Sequence, residues 1–284
     1  MNRICAGISR ASRFSPNRES NDNAVFSQVA EYLRENGWDV RLYSEAEFID
    51  QTQDEQYIFH MAREESTIDQ LEKLEQACAV VVNPARSIKN CRRDILTSLL
   101  LEGDIPYPRS FTAETSCAIE ELMQKNGMSA CWLKRADMHT LHPDDVCFAP
   151  TTDIARKHWT AFALRGIERV VVNEHLSGDL IKFYGVTDEP FFFWCYPRQG
   201  GCDKFGHERI NGAPAQYPFK ETDLQELCTQ AARQLGVCIY GGDAIVSPDG
   251  SIHIIDLNDW PSFSPCLHEA VTHIGRAIIK KFNR

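Results

Sequence analysis

No stretch of the chain approaches the roughly 18 consecutive apolar residues of a membrane span; the richest runs, Ile95 to Leu101 and Phe191 to Tyr196, are short. Met1 to Phe14 holds no apolar core of the kind a secretory signal carries. The 11 cysteines are odd in number and scattered, with no CxxC pair and no histidines at zinc spacing, which excludes a disulfide framework and a zinc finger. Cys5, Cys78, Cys131 and Cys238 lie beside or within apolar runs and read as small hydrophobes in a reducing compartment, so the expected location is the cytoplasm. Positive charge is in short supply as well. Thirty Lys and Arg against forty Asp and Glu give a net charge of -10 and a pI near 5.4, which argues against nucleic acid as the partner.

Several signatures of common chemistries are missing too. There is no P-loop, no GxGxxG and no GxSxG element. His268, Glu269 and His273 imitate a zinc-protease helix, but the histidines are spaced i, i+5, about 140° apart around a helix. No repeat or low-complexity tract interrupts the chain. What remains is 284 residues, 43% hydrophobic, enough to bury roughly 75% of the unfolded surface in two lobes.

Local patterns give a mixed α/β (α+β) protein. A strand at Arg3 to Ser9 and a polar loop to Asn23 precede a helix with Phe26, Val29, Ala30 and Leu33 on one face, stopped at Asn36-Gly37. A strand through Trp38, Val40 and Leu42, a helix with Ile68, Leu71, Leu74 and Cys78, and a buried strand at Ala79 to Val82 complete a small parallel lobe. One helix is then expected through Ile88, Cys91, Ile95, Leu96 and Leu99, ending near Gly103. Further on come a helix at Ile119 to Met123, strands at Ala130 to Arg135 and Val146 to Ala149, a helix at Ile154 to Leu164 and a strand at Arg169 to His175. The last part is more antiparallel: a hairpin turning at Asp188-Glu-Pro190, a helix from near Thr222 to Leu235, a second hairpin and a terminal amphipathic helix.

The second hairpin carries the chemistry. Asp249-Gly250 between two β-rich runs predicts a two-residue loop, so that paired positions sum to 499. Ile245 then faces Ile254 and Asp243 faces Asp256, with Cβ atoms about 5 Å apart; Asn258 projects from the same face. Two anions that close repel unless one is protonated or a cation lies between them, and oxygen ligands in small number suit Mg²⁺. Taken alone, Asp256 to Asp259 reads first as a strand end and turn; Asp243 in register favours the metal.

These residues resemble the metal-binding end of the ATP-grasp superfamily, in which an acid on one strand and an acid-x-Asn on the next hold Mg²⁺ on the phosphates of ATP. The tail Asp256-Leu-Asn-Asp-Trp-Pro-Ser-Phe263 is similar both to the inositol polyphosphate kinases of that superfamily and to the ligases that add glutamate to a ribosomal protein. The resemblance implies an ATP-grasp fold: an amino-terminal α/β domain over residues 1–86 and an ATP-grasp domain over 87–284, with a lid subdomain at about 113–175 and a metal-binding subdomain at about 176–284.

By the same resemblance the metal ligands are Asp243, Asp256 and Asn258. Lys134 stands where a lysine meets the α- and β-phosphates, and Arg93 where a first phosphate-contacting lysine sits. Glu174, His175 and Leu176 match the hinge that receives adenine through backbone groups, Asp179 an acid that reaches the ribose, and Lys182 a base aimed at the γ-phosphate. Arg209 and Asn211 match an Arg-x-Asn element that stabilises the transferred phosphoryl group. The segment 135–146 departs from the pattern by having no glycine, so closure over the phosphates is built differently; His139 and His142 either touch phosphate or are exposed loop histidines.

The implied activity is an ATP-dependent carboxylate-amine or carboxylate-thiol ligase working through an acyl phosphate, with ATP and Mg²⁺, small carboxylate and amine substrates, and no nucleic acid or membrane. Arg10, Arg13 and the loop at Ser15-Pro-Asn17 are candidates for steering an anionic acid, or an ordinary loop. A kinase of the inositol polyphosphate type and a non-catalytic nucleotide-binding module stay open, as does self-association.

Overall fold

A computed structural model of the chain describes residues 3–16, 18–51, 56–137, 142–197 and 210–284. The amino-terminal part runs β1 (Arg3–Ser9), α1 (Glu19–Glu35), β2 (Trp38–Ser44), α2 (Glu45–Asp50), β3 (Tyr57–His60), α3 (Glu65–Gln76) and β4 (Val80–Val82). The strands form a parallel sheet in the order β2-β1-β3-β4. β1 is buried along most of its length, as a strand covered by helices on both sides must be. Helix α2 and strand β3 were not expected from sequence. α2 opens on a capping box, Ser44 with Glu47, a legible signal; β3 has four residues, too few to show a period.

Two short helices follow, α4 (Ala85–Asn90) and α5 (Arg93–Glu102), where one was expected. The chain breaks at Arg92, which is extended, and the Asp94 N–H at the start of α5 is drawn to the Ala136 carbonyl, 3.3 Å away.

The middle sheet comprises β5 (Ser110–Glu114), β6 (Cys131–Arg135), β7 (Val146–Ala149) and β8 (Arg169–Glu174), antiparallel in the order β5-β8-β6-β7. Helices α6 (Ile119–Lys125) and α7 (Thr152–Leu164) cover one face with Ile119, Met123, Trp159 and Phe162, packed on Cys131, Leu133, Val170 and Val172. Alternation along β6 sends Trp132 and Lys134 the other way. β5 was not foreseen.

The carboxyl-terminal sheet contains β9 (Asp179–Val186), β10 (Phe191–Cys195), β11 (Ile239–Val246) and β12 (Ile252–Asp259), antiparallel in the order β10-β9-β11-β12. Helix α8 (Glu221–Leu235) packs with α5 on one side of it, through Leu224, Ala231, Leu96 and Leu100. Helix α9 (Leu267–Phe282) lies against α1, and its Ile274 and Ile278 share a core with Cys5, Val29, Phe59, Ile239 and Trp260. The first and third sheets therefore have a common core. Asn83 stitches them: its amide donates to the Ile239 carbonyl at 2.9 Å and accepts the Cys238 and Ile239 N–H groups at 2.8 and 2.9 Å.

The β11–β12 hairpin corrects the expected register. Its loop has three residues, Pro248 to Gly250: Ser247 N–H donates to Ser251 O and Gly250 N–H to Ser247 O, both at 2.9 Å. Gly250 closes the turn at φ 83°, a conformation that favours glycine. Ile245 consequently faces His253, not Ile254. A bulge then leaves Ile255 unopposed, which shifts the pairing by one and restores Asp243 opposite Asp256.

Candidate functional site

The three sheets surround a cleft of about 320 Å³. Its floor is one face of the third sheet, crossed by three rows of paired residues: Leu180 with Ile245; Lys182, Asp243 and Asp256; and Tyr184, Gly241 and Asn258. Trp132, Lys134, Val146, Asn173 and Glu174 come from the middle sheet. The loops at the carboxyl ends of β1 and β3 add Arg10, Ser15, Arg18 and Arg63, beside the point where the strand order of the parallel sheet reverses. Gly242 is required here: a Cβ on it would lie 2.1 Å from the Asp256 carbonyl oxygen.

Six basic and five acidic side chains line the cleft among the described residues, a near balance within a chain whose net charge is -10. Lys182 Nζ donates to Asp243 Oδ1 at 3.1 Å, within the row that also holds Asp256. Asn258 Nδ2 donates to Asp256 Oδ2 at 3.3 Å. Lys134 Nζ reaches across from the middle sheet to the carbonyl of the bulged Ile255, at 2.9 Å. Burial pushes the Lys134 pKa down to about 8; the Asp256 charge opposes this and the Arg93 guanidinium adds to it. Arg93, at the start of α5 and 6% exposed, donates to the Arg135 carbonyl at 3.3 Å.

The hinge residues, at and just beyond the end of β8, divide between two sides. Glu174 and Leu176 line the cleft. The Glu174 carboxylate is gripped by Arg109 at 2.8 and 2.6 Å, and that guanidinium holds it below the usual carboxylate range. His175 does not line the cleft. Its Nδ1 accepts from Trp132 Nε1 at 3.1 Å, its ring lies 4.8 Å from Phe148, and its N–H is taken by the Ala130 carbonyl. Asn211 lines the cleft, yet its amide donates to the Leu176 and Gly178 carbonyls at 3.1 and 3.4 Å, so it braces the hinge.

Asp179 departs from its expected ribose role. It is buried on the face of β9 opposite Leu180, Lys182 and Tyr184, and its carboxylate accepts the N–H groups of Ala215 and Tyr217 at 2.6 and 2.8 Å. Arg209, Asn17 and His139 lie outside the described residues. His142 is exposed and caps the turn at Pro143–Asp145, away from the cleft. Arg10 lines the cleft, but its donors serve Met61 O, Asp22 and Trp260 O at 3.1, 2.9 and 2.9 Å; Arg13 pairs with Glu64 outside it.

Sequence reasoning missed several lining residues. Tyr184 sits two positions from Lys182, so alternation alone would have found it, as it places Trp132 on the face of Lys134. Arg63 and Asp259 form a nearly inaccessible ion pair at 2.7 Å, in which burial lowers the Arg63 pKa. Arg63 follows the unforeseen β3 and carried no signal. Asn173 is 2% exposed beside Trp132; its Nδ2 donates to Ser110 Oγ at 2.7 Å, while its Oδ1 finds no hydrogen-bond partner among the described residues.

Two carboxylates and an amide in adjacent rows fit a hard, oxygen-seeking cation that completes its shell with phosphate and water. Among the described residues no group of three or more His, Cys, Asp or Glu could hold a metal by itself. No helix among them is long and apolar enough to cross a membrane.

No protein-family model matches the chain, and no curated protein matches its sequence. Solved structures do. D-alanyl-alanine synthetase A from Vibrio cholerae aligns with a TM-score of 0.72 at 11% identity, over 100% of this chain and 99% of that one. A RimK domain ATP-grasp protein from Sphaerobacter thermophilus gives 0.69 at 14% identity, over 96% and 99%. The ATP-grasp ligase PsnB, solved with a minimal precursor, gives 0.66 at 14%, over 99% and 100%. The chain has the fold of the ATP-grasp ligases.

Proposed function

We propose that this protein is an ATP-dependent ligase that joins a carboxylate to an amine, or to a thiol, through an acyl phosphate. The observation that carries the reading is the row Lys182, Asp243, Asp256, flanked by Asn258 and faced by Lys134 and Arg93 across one cleft. Its support from outside is the fold shared with D-alanyl-alanine synthetase and with PsnB, which has also been solved with Mg and ADP.

In this scheme a substrate carboxylate oxygen attacks the γ-phosphorus and ADP leaves; the amine then attacks the acyl carbon and expels phosphate, its proton passing to water. Such transfer is mostly positioning and charge compensation. Lys134 and Arg93 hold the α- and β-phosphates and Lys182 the γ-phosphate. Asp243, Asp256 and Asn258 would hold Mg²⁺, which when bound offsets charge on the triphosphate. Trp132, Val146, Leu176, Leu180 and Ile245 wall the base, and Asn173 Oδ1 is an acceptor suited to the amino group of adenine. Arg18 and Arg63 form the end that receives the acid, beside Arg10, which Asp22 and two carbonyls hold in place. Arg209 keeps its assignment to the transferring group from sequence, and the cytoplasm is the proposed compartment.

The test is incubation of the protein with Mg-ATP and pools of acids and amines, with hydroxylamine added to trap an acyl phosphate as a hydroxamate. Phosphate release with a coupled product supports the ligase. A phosphorylated alcohol instead supports the kinase, a reading favoured by the six basic side chains of the cleft. Binding without turnover leaves the nucleotide-binding module.

A further inference from the structure

Both carboxylates of the central row already have donors from the chain itself. Lys182 Nζ sits 3.1 Å from Asp243 Oδ1, and Asn258 turns its amide nitrogen, not its oxygen, toward Asp256 Oδ2 at 3.3 Å. The lysine side chain is 13% exposed and the aspartate 28%, so this pair is shielded more than a surface pair. A divalent ion entering the row must displace the ammonium and turn the Asn258 amide, and it must do so beside a fixed positive charge. Among the described residues no third His, Cys, Asp or Glu joins this pair in a metal-holding group.

We infer that Lys182 is a tethered cation that holds the place of the divalent metal in the nucleotide-free protein and leaves it only for the terminal phosphate of a bound nucleoside triphosphate. This rests on the metal-nucleotide reading above and adds an order to it. Metal alone binds weakly because Lys182 competes for Asp243. A triphosphate gives Lys182 a stronger anionic partner, draws it off Asp243 Oδ1, and supplies oxygens for the remainder of the metal shell. Metal and nucleotide affinities are then coupled through one side chain, each raising the other by the same factor. Lys182 thereby positions the metal as well as contacting phosphate.

The experiment is Mn²⁺ titration followed by the electron paramagnetic resonance signal of free Mn²⁺, without nucleotide and with AMPPNP, with AMPPNP alone as the blank. Wild-type protein should bind Mn²⁺ poorly alone and strongly with AMPPNP. Lys182→Met and Lys182→Gln should bind Mn²⁺ about tenfold more tightly without nucleotide, the scale expected from removing one partly shielded competing charge. They should lose most of the AMPPNP enhancement, and Lys182→Arg should restore the wild-type pattern. Unchanged nucleotide-free affinity in both neutral variants, alongside a normal AMPPNP enhancement in wild type, overturns the tethered cation and leaves the metal-nucleotide reading standing. No enhancement by AMPPNP in wild type overturns both.

Discussion

Replacing Lys134 with methionine should make the protein more stable and unable to hold nucleotide. The Lys134 pKa near 8 lies well below the 10.5 of an ordinary lysine, because the ammonium is buried beside Arg93. A lysine whose folded-state pKa is depressed destabilises the fold wherever it is charged. The cost is fully present below about pH 8, fades as pH rises toward 10.5, and corresponds to about 3 kcal/mol. Methionine keeps the stem and removes that cost, but it leaves the Ile255 carbonyl without its 2.9 Å donor, a loss of about 1 to 3 kcal/mol. The balance is a gain of about 1 kcal/mol, or a melting temperature higher by about 2 to 4 °C. Urea unfolding at pH 7 measures the first effect, and calorimetric titration with Mg-AMPPNP at pH 8 the second. Wild type should take up protons on binding, since phosphate returns Lys134 to its charged form, and the variant should neither bind nor take up protons. A variant that is destabilised by more than 1 kcal/mol, or that binds AMPPNP with the same proton uptake, refutes the reasoning.

Asp256→Asn should abolish metal-dependent turnover while leaving the circular dichroism spectrum and melting temperature close to wild type; unchanged activity with Mg²⁺ would remove Asp256 from the metal set. Asp259→Ala strands the buried Arg63 guanidinium and should cost about 3 to 5 kcal/mol in urea unfolding, against well under 1 kcal/mol for loss of an exposed pair such as Arg156–Asp153. His60 donates from Nε2 to the Asn83 carbonyl at 2.7 Å and accepts the Ala62 N–H on Nδ1, and burial pushes its pKa down to about 4. Its neutral form is the folded one, so stability is full above pH 6.5 and falls by about 3 kcal/mol as pH drops from 6.5 to 4. His60→Phe should flatten that part of the profile, and an unaltered slope would rule His60 out as its source. Gly242→Ala forces a methyl into the Asp256 carbonyl and should impair Mg-AMPPNP binding; intact affinity would show that the two strands can part there without disturbing the row.

The strongly periodic helices were legible because their pattern outlasts one turn: the helix face at Phe26 to Leu33 and the terminal helix both sit where the sequence puts them. Strand β3 has only four residues, and β5, Ser-Phe-Thr-Ala-Glu, is half-buried over most of its length and carries little apolar pattern. The Asp243–Asp256 pair was reached by two errors that cancel. The loop holds one residue more than Asp249-Gly250 suggests, and the bulge at Ile255 takes up the difference. A bulge has no composition signature, yet it is what frees the carbonyl that Lys134 uses. The Asp179 error could have been caught from sequence, since an odd separation from Lys182 on one strand puts the two on opposite faces. Arg63 could not, because it enters the cleft through a β-strand end whose neighbours are set by the parallel sheet, not by anything local.

Packing is unevenly distributed around the cleft. The first and third sheets share a core and the Asn83 bonds, whereas the middle sheet is filled by its own residues, Ile119 to Val172. The middle sheet meets the rest of the cleft through polar contacts: Arg93 and Asp94 at the start of α5 bond the Arg135 and Ala136 carbonyls, and Lys134 reaches the Ile255 carbonyl at 2.9 Å. Widening the cleft would therefore lengthen that lysine-to-carbonyl contact while leaving the cores on either side of it intact.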